Sequence, residues 1–131
     1  MNKIFLLLFM IFCHIVDDFR LQGIMASMKQ KSWWIDQIPT EYKDTFNKSM
    51  YKNDYIMALI MHSFSWSFMI NLPIMIYSNF KLWIAGSIIV NMIIHAIIDD
   101  LKANKLKINL IMDQTIHIIQ IFITFIIFIC I

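Results

Sequence analysis

The chain has 131 residues, a hydrophobic fraction of 60% and a net charge of only +2. A chain of this length forms one domain, and so much apolar surface cannot be hidden inside a water-soluble domain. The few basic residues are scattered among aliphatic and aromatic ones, so we set nucleic acid aside as a partner. The composition predicts an all-α membrane protein in which residues 1–131 form a single transmembrane domain.

Four segments are predicted to span the bilayer, because a transmembrane helix needs about 20 mostly apolar residues. In chain order they are 3–22, 55–77, 81–101 and 108–131. The first imitates a signal peptide, but charged residues follow it where a small-residue cleavage site would stand, so we expect it to be retained. Short connections join the last three segments, which predicts a polytopic four-helix bundle of up-and-down topology.

The longest polar segment, 23–54, lies between the first two predicted spans and is divided by Pro39. Its first half mixes lysine with methionine and tryptophan, as in helices that lie in the headgroup layer. We expect this helical loop to anchor the chain at the interface, with a lid over a site as the alternative. The loop face carries nine of the eleven lysines and arginines. It is therefore predicted to be cytoplasmic, with both termini outside, in the inner membrane of a bacterial cell.

Three predicted spans carry a histidine and an aspartate four residues apart, which places both on one helix face. The pairs are His14 with Asp18, His95 with Asp99, and Asp113 with His117. The second span adds His62. Counted from the loop face at 1.5 Å per residue, all four histidines lie roughly 10 to 15 Å below one surface. Antiparallel threading is therefore expected to bring these side chains together.

Five of the nine acidic residues lie within or at the edge of predicted spans, where an isolated aspartate costs about 2.5 to 3.5 kcal/mol. Hydrogen bonds among the polar groups or a bound metal would compensate them. Histidine nitrogen with carboxylate oxygen suits zinc, with manganese or iron as alternatives, and the two cysteines are not placed for a thiolate site. The candidate ligands for one or two divalent ions are His14, Asp18, His62, His95, Asp99, Asp113 and His117.

Among these, Asp18, Asp99 and Asp113 are the candidates for a catalytic base beside a metal. Asp17 and Asp100 are offset from the shared helix faces and lie closer to the headgroups. We expect them to support the ligands from behind or to lie at the surface.

The same residues resemble the motifs of a family of small bacterial and phage membrane proteins of unknown function. Its pattern is a histidine followed by D-F-x-L-Q in the first helix, a histidine in the second, H-x-x-x-D-x-x-K in the third and D-Q-x-x-H in the fourth. The chain matches this pattern at His14, Asp18, Phe19, Leu21, Gln22, His62, His95, Asp99, Lys102, Asp113, Gln114 and His117. The resemblance implies that Gln22, Lys102 and Gln114 support the site or contact a substrate. The doubled aspartates and the long loop 23–54 depart from the pattern.

The family is in turn distantly similar to membrane-bound metal-dependent hydrolases. Together with the shared depth of the motifs, this favours an intramembrane metal-dependent hydrolase acting on an amphipathic ester or phosphoester from the cytoplasmic face. A proton or divalent-metal transporter is the first alternative. A phage-type pore-forming or scaffolding protein, in which the polar groups join helices or subunits of a homo-oligomer, is the second. Membrane lipid is a partner in all three.

Overall fold

The computed structural model describes residues 2–36, 52–79 and 81–130. The rest of the predicted loop, including Pro39, lies outside the described residues. Within these ranges every regular element is helical and no strand occurs, which confirms the all-α class. The helices are α1 Lys3–Val16, a π-helical turn Asp17–Leu21, α2 Met25–Met28, α3 Lys31–Asp36, α4 Asp54–Ser78, α5 Trp83–Ala103 and α6 Leu110–Cys130.

Three of these helices, α4, α5 and α6, are long and apolar enough to cross a membrane. Large apolar side chains also cover the outside of the molecule, among them Leu8, Ile93 and Ile123. A surface of this kind is stable against lipid and costly against water. The chain therefore has the composition and the helices of a membrane protein. At 14 residues α1 is shorter, but the π-helical turn prolongs it to Leu21, one residue before the end of the predicted first span.

The helices pack around a core from which α1, α4, α5 and α6 each contribute buried side chains. These are Leu6, Met10, Trp66, Ile70, Ile74, Ile84, Ile121 and Phe125. Helix α4 packs against α5 and α1, and α6 packs against the same two helices. Every long helix therefore has two neighbours, and the side chains between them are shielded from the surroundings.

Neighbouring helices run antiparallel, as the contacts between their side chains show. Along α4, Ser87 of α5 bonds Asn71, and His95 lies against His62, so an increase in number on one helix matches a decrease on the other. The same holds for α5 and α6, where Asn91 bonds Thr124. This arrangement is what brings residues far apart in sequence to one level of the bundle.

The first part of the predicted interfacial loop folds as two short helices that lie against the ends of α4 and α5. Gly23 begins this segment in the left-handed backbone region, at φ +51°, where a side chain would be strained. Asn104 at the end of α5 then holds it, since its amide donates to the Lys29 carbonyl and its oxygen accepts from the Lys31 N–H. The segment is thus fixed to the bundle beside the histidines.

Candidate metal centre

Asp17 and Asp18 follow His14 by three and four residues, so helix geometry places both on its side of the helix. The π-helical turn begins at Asp17 and is closed by a bond from the Gln22 N–H to the Asp17 carbonyl. Asp17 is only 1% exposed and accepts a 2.6 Å hydrogen bond from Ser65. Asp17 is thus buried behind the site, which is one of the two positions expected for it, and it does not lie closer to the headgroups.

Four side chains from three segments, the π-helical turn, α4 and α5, meet at one point, and we name them the first ligand group: Asp18, His62, His95 and Asp99. The Nε2 atom of His62 lies 3.1 Å from the His95 Nε2. The same atom lies 3.4 Å from the Asp18 Oδ1 and 3.4 Å from the Asp99 Oδ2. His95 Nε2 is 3.7 Å from that Asp99 oxygen. All four groups are almost fully buried.

These spacings fit a metal ion. Ligands about 2.0 to 2.1 Å from a tetrahedral zinc lie roughly 3.3 Å from one another. The four separations from 3.1 to 3.7 Å bracket that value. Two nitrogen and two oxygen donors are also a set that zinc accepts, and manganese or iron can use it. Asp18, His62 and His95 are therefore placed so that they could hold an ion, and Asp99 forms an overlapping group with His95 and His117.

A second ligand group, Asp99, Asp113 and His117, adjoins the first. His117 Nε2 is 3.7 Å from the Asp99 Oδ1 and 3.3 Å from the Asp113 Oδ1. Asp99 thus presents one carboxylate oxygen to each group. A carboxylate shared in this way is the usual bridge between two metal ions. The rings of His95 and His117 stack with centroids 4.1 Å apart, which keeps the two groups in contact.

Several buried polar atoms at this centre have no hydrogen-bond partner among the described residues. They are Asp17 Oδ2, His95 Nδ1, Asp113 Oδ1, and both ring nitrogens of His117. An unpartnered polar atom in a buried site costs about 1 to 3 kcal/mol. His117 Nε2 and Asp113 Oδ1 face each other, and a cation between them would satisfy both. The buried histidines and aspartates of this centre could therefore hold a metal ion.

Two lysines partly neutralise the carboxylates. Lys29, which is 6% exposed, donates a 2.6 Å bond to the Asp99 Oδ2, and Lys102 donates a 2.5 Å bond to the Asp113 Oδ2. Counted with ionised carboxylates and neutral histidines, the two lysines and the aspartates at 17, 18, 99 and 113 carry a formal charge of −2. One divalent ion, or protons on two histidines, would balance it. The sequence interpretation treated Lys29 as a topology signal only, and nothing in its local pattern indicates a buried partner.

The glutamines named by the family motif both bond to the centre. Gln22 Nε2 lies 2.7 Å from the His62 Nε2, and Gln114 Nε2 donates a 2.6 Å bond to the Asp18 Oδ2. Gln114 also reaches the Asp113 carboxylate at 3.1 Å. These amides hold the predicted ligands in place. Gln22 occupies the His62 lone pair that a metal would use, so this amide must shift when a metal binds.

One of the seven predicted ligands, His14, lies outside both ligand groups, and Asp100 takes a position away from the ligands, as one of its two expected placements allows. His14 is buried, but its Nδ1 accepts a 2.8 Å bond from the Trp66 Nε1, and its ring lies 6.1 Å from that of His117. Asp100 lies at the end of α5, where it bonds Asn104 and Lys105. His14 thus packs beside the centre, and Asp100 lies at its rim.

Comparison of the chain with protein-family models, with curated proteins and with solved structures finds no match. The family resemblance therefore stays a prediction from the motifs.

Proposed function

We propose that this chain is an intramembrane metal-dependent hydrolase that acts on an amphipathic substrate from the cytoplasmic side of a bacterial inner membrane. The observation that carries the proposal is the spacing of the first ligand group, in which four of the six pairs of donor atoms lie 3.1 to 3.7 Å apart. A separation near 3.3 Å is the edge of a zinc tetrahedron. Helix α5 supplies two of the donors, and α4 and the π-helical turn supply one each, so the packing of three segments brings them together.

The proposal includes a four-span topology. The helical stretch Lys3–Leu21 would cross together with α4, α5 and α6, with the termini outside and the loop inside. The distribution of lysine and arginine supports this orientation. It places the metal centre near the cytoplasmic surface, below α2 and α3, where a substrate with a polar head could reach it from the inner leaflet.

Each residue then has a role that follows from its contacts. A bound divalent ion would polarise the scissile group and lower the pKa of a water. With a single ion in the first ligand group, Asp113 would accept a proton from that water, since its Oδ1 then has no partner among the described residues. Asp17 lies 3.9 Å from the His62 Nδ1 and would hold that imidazole in the orientation for ligation. Lys102 keeps the Asp113 carboxylate in position through its other oxygen.

Metal content of the purified protein tests the proposal. We expect one or two equivalents of a divalent metal in the wild type, and loss of most of it in Asp18→Ala and Asp99→Ala. Asn91→Ala, on the face of α5 two turns away from Asp99, serves as the matched control and should keep its metal. A wild-type protein without stoichiometric metal, and with a stability that chelator does not change, would rule out the hydrolase.

Transport of protons or a divalent metal is a second candidate, favoured by one observation. Buried polar side chains continue beyond the histidines toward the opposite face, through a network that we name the amide–hydroxyl network: Asn71, Ser87, Asn91, Gln120 and Thr124. Flux of protons or zinc into liposomes that His95→Ala abolishes would favour this function. The network consists of neutral groups already bonded to one another, so it offers no titratable relay and no charged ligand for a cation.

A further inference from the structure

The two lysines of the metal centre differ in how they are held. Lys102 lies in α5 and its side chain is 30% exposed, whereas that of Lys29 is 7% exposed. The backbone of Lys29 is fixed, because its carbonyl accepts a 3.1 Å bond from Asn104. Among the described residues, its four-carbon side chain makes one hydrogen bond, to the Asp99 carboxylate. The ammonium group is therefore able to change partner while the main chain stays in place.

A metal ion in the first ligand group would compete with the Lys29 ammonium for one atom. That atom is the Asp99 Oδ2, which lies 2.6 Å from the lysine nitrogen and 3.4 Å from the His62 ligand nitrogen. Two cations at one carboxylate oxygen repel each other, most strongly where water is excluded. Metal binding would thus displace the ammonium from its partner. A buried ammonium without a counter-ion is costly, so the displaced group needs a new anion.

Charge at the centre indicates which anion. The four carboxylates and the two lysines leave two negative charges, so one divalent ion makes the centre neutral and two give it two positive charges. Two ions are what the ligand set offers, since Asp99 presents one oxygen to each ligand group. A centre with two excess positive charges and two ammonium donors is complementary to a dianion with several acceptor oxygens. A neutral carboxylic ester would leave these charges unmatched.

We propose that the reacting group of the amphipathic substrate is a phosphate monoester, bound as the dianion by the metal centre and by the ammonium groups of Lys29 and Lys102. This inference rests on the proposed hydrolase function and names its substrate class. In the reaction, water oxygen bonds to phosphorus and the bond from phosphorus to the lipid alcohol oxygen breaks. One proton of the water passes to that alcohol, so that an alcohol and inorganic phosphate leave.

Binding of inorganic phosphate to the zinc-loaded protein in detergent tests the inference by calorimetry. We expect saturable binding in the wild type, and a dissociation constant raised about tenfold or more in Lys29→Met, because a charged hydrogen bond is lost. Lys29→Arg should restore most of the affinity, since the charge returns. The matched control is Lys105→Met, a lysine on the outer rim that pairs with Asp100 and should bind phosphate as the wild type does.

Three results separate this inference from the proposed function. A protein without metal contradicts both. A protein that holds metal but binds no phosphate, or that hydrolyses p-nitrophenyl butyrate faster than p-nitrophenyl phosphate, contradicts the phosphate inference alone. Unchanged phosphate affinity in both Lys29→Met and Lys102→Met, with metal content equal to the wild type, would also overturn it. Metal content and melting temperature measured on every variant show whether a loss reflects phosphate recognition or folding.

Discussion

Two groups of buried polar residues occupy successive levels of the same bundle, and they are built from different chemistry. The amide–hydroxyl network consists of neutral side chains that mostly bond one another; for example, Gln120 donates to the Asn91 carbonyl and side chain at 2.9 Å. The metal centre consists of histidines and aspartates, and several of its atoms have no partner among the described residues. In the network one atom, the Gln120 Oε1, has no partner among the described residues, whereas five atoms of the centre have none and the centre also holds the charged side chains. The comparison distinguishes polar residues that join helices from polar residues that are placed to bind a ligand.

The largest effect is expected from removing the carboxylate that both ligand groups share. Asp99→Asn keeps the size of the side chain but loses its charge, so it removes a ligand from each group. We expect metal affinity to fall more than about 100-fold, since even residues behind the ligands typically contribute 10- to 100-fold. Elemental analysis after dialysis against a weak chelator measures this. A variant that kept full metal occupancy would contradict the distinction between the metal centre and the amide–hydroxyl network.

The next largest effect on metal binding is expected at Asp17, which lies beside the predicted ligand His62 but is not itself a predicted ligand. Asp17→Asn removes the charge 3.9 Å from the His62 Nδ1 and keeps a group that can bond Ser65. We expect metal affinity to fall about 10- to 100-fold with little change in apparent stability without metal. The comparison variant is Asp100→Asn, which changes an aspartate at the rim and should leave metal affinity unchanged. Equal effects of the two substitutions would contradict the placement of Asp17 behind His62.

The sequence predicted the level of the metal centre but not all of its members. A spacing of four residues on three helices, together with short connections, was enough to place Asp18, His95 and Asp99 near one another, because helix geometry fixes which residues share a face. Asp17 was expected either to support the ligands from behind or to lie at the surface, and Lys29 was not predicted as a member. The burial of Asp17 depends on Ser65 of α4 lying against it, and that of Lys29 depends on how α2 docks against Asn104. Both are outcomes of tertiary packing, which periodicity does not encode.

The fold was likewise predictable where it depends on local sequence and not where it depends on tertiary packing. Hydropathy predicted α4, α5 and α6 to within two residues at every end, because a long apolar run in a bilayer must satisfy its backbone hydrogen bonds within one helix. The amide–hydroxyl network was predicted only as scattered polar residues. That Asn91 bonds to Ser87 and Thr124 depends on the packing of α5 against α6.

A smaller effect, on stability alone, is expected in that network. Asn91→Leu replaces an amide that bonds to Ser87, Gln120 and Thr124 with a side chain of similar size. Hydrogen bonds between membrane helices contribute about 0.6 kcal/mol on average and up to about 1.7, so we expect destabilisation of about 1 kcal/mol or somewhat more. Unfolding in mixed micelles measures it. Metal content should equal that of the wild type, and a variant that loses its metal would show that the two levels depend on each other.

The smallest effect on metal binding is expected at His14, although this histidine belongs to a pair with the same spacing as the others. Its Nδ1 is occupied by the Trp66 Nε1 at 2.8 Å, and it lies outside both ligand groups. His14→Asn should therefore lower metal affinity less than about threefold, well below the 10- to 100-fold typical of residues that orient a ligand. His95→Asn, in the first ligand group, is the matched comparison and should lose most of the metal. If both variants lost metal equally, His14 would have to turn toward the ligands when the ion binds, and the bond from Trp66 would have to break. If both variants kept their metal and stayed folded, the histidines would serve to join helices through hydrogen bonds, which asparagine also makes. The histidines of the metal centre would then have the same role as the amide–hydroxyl network.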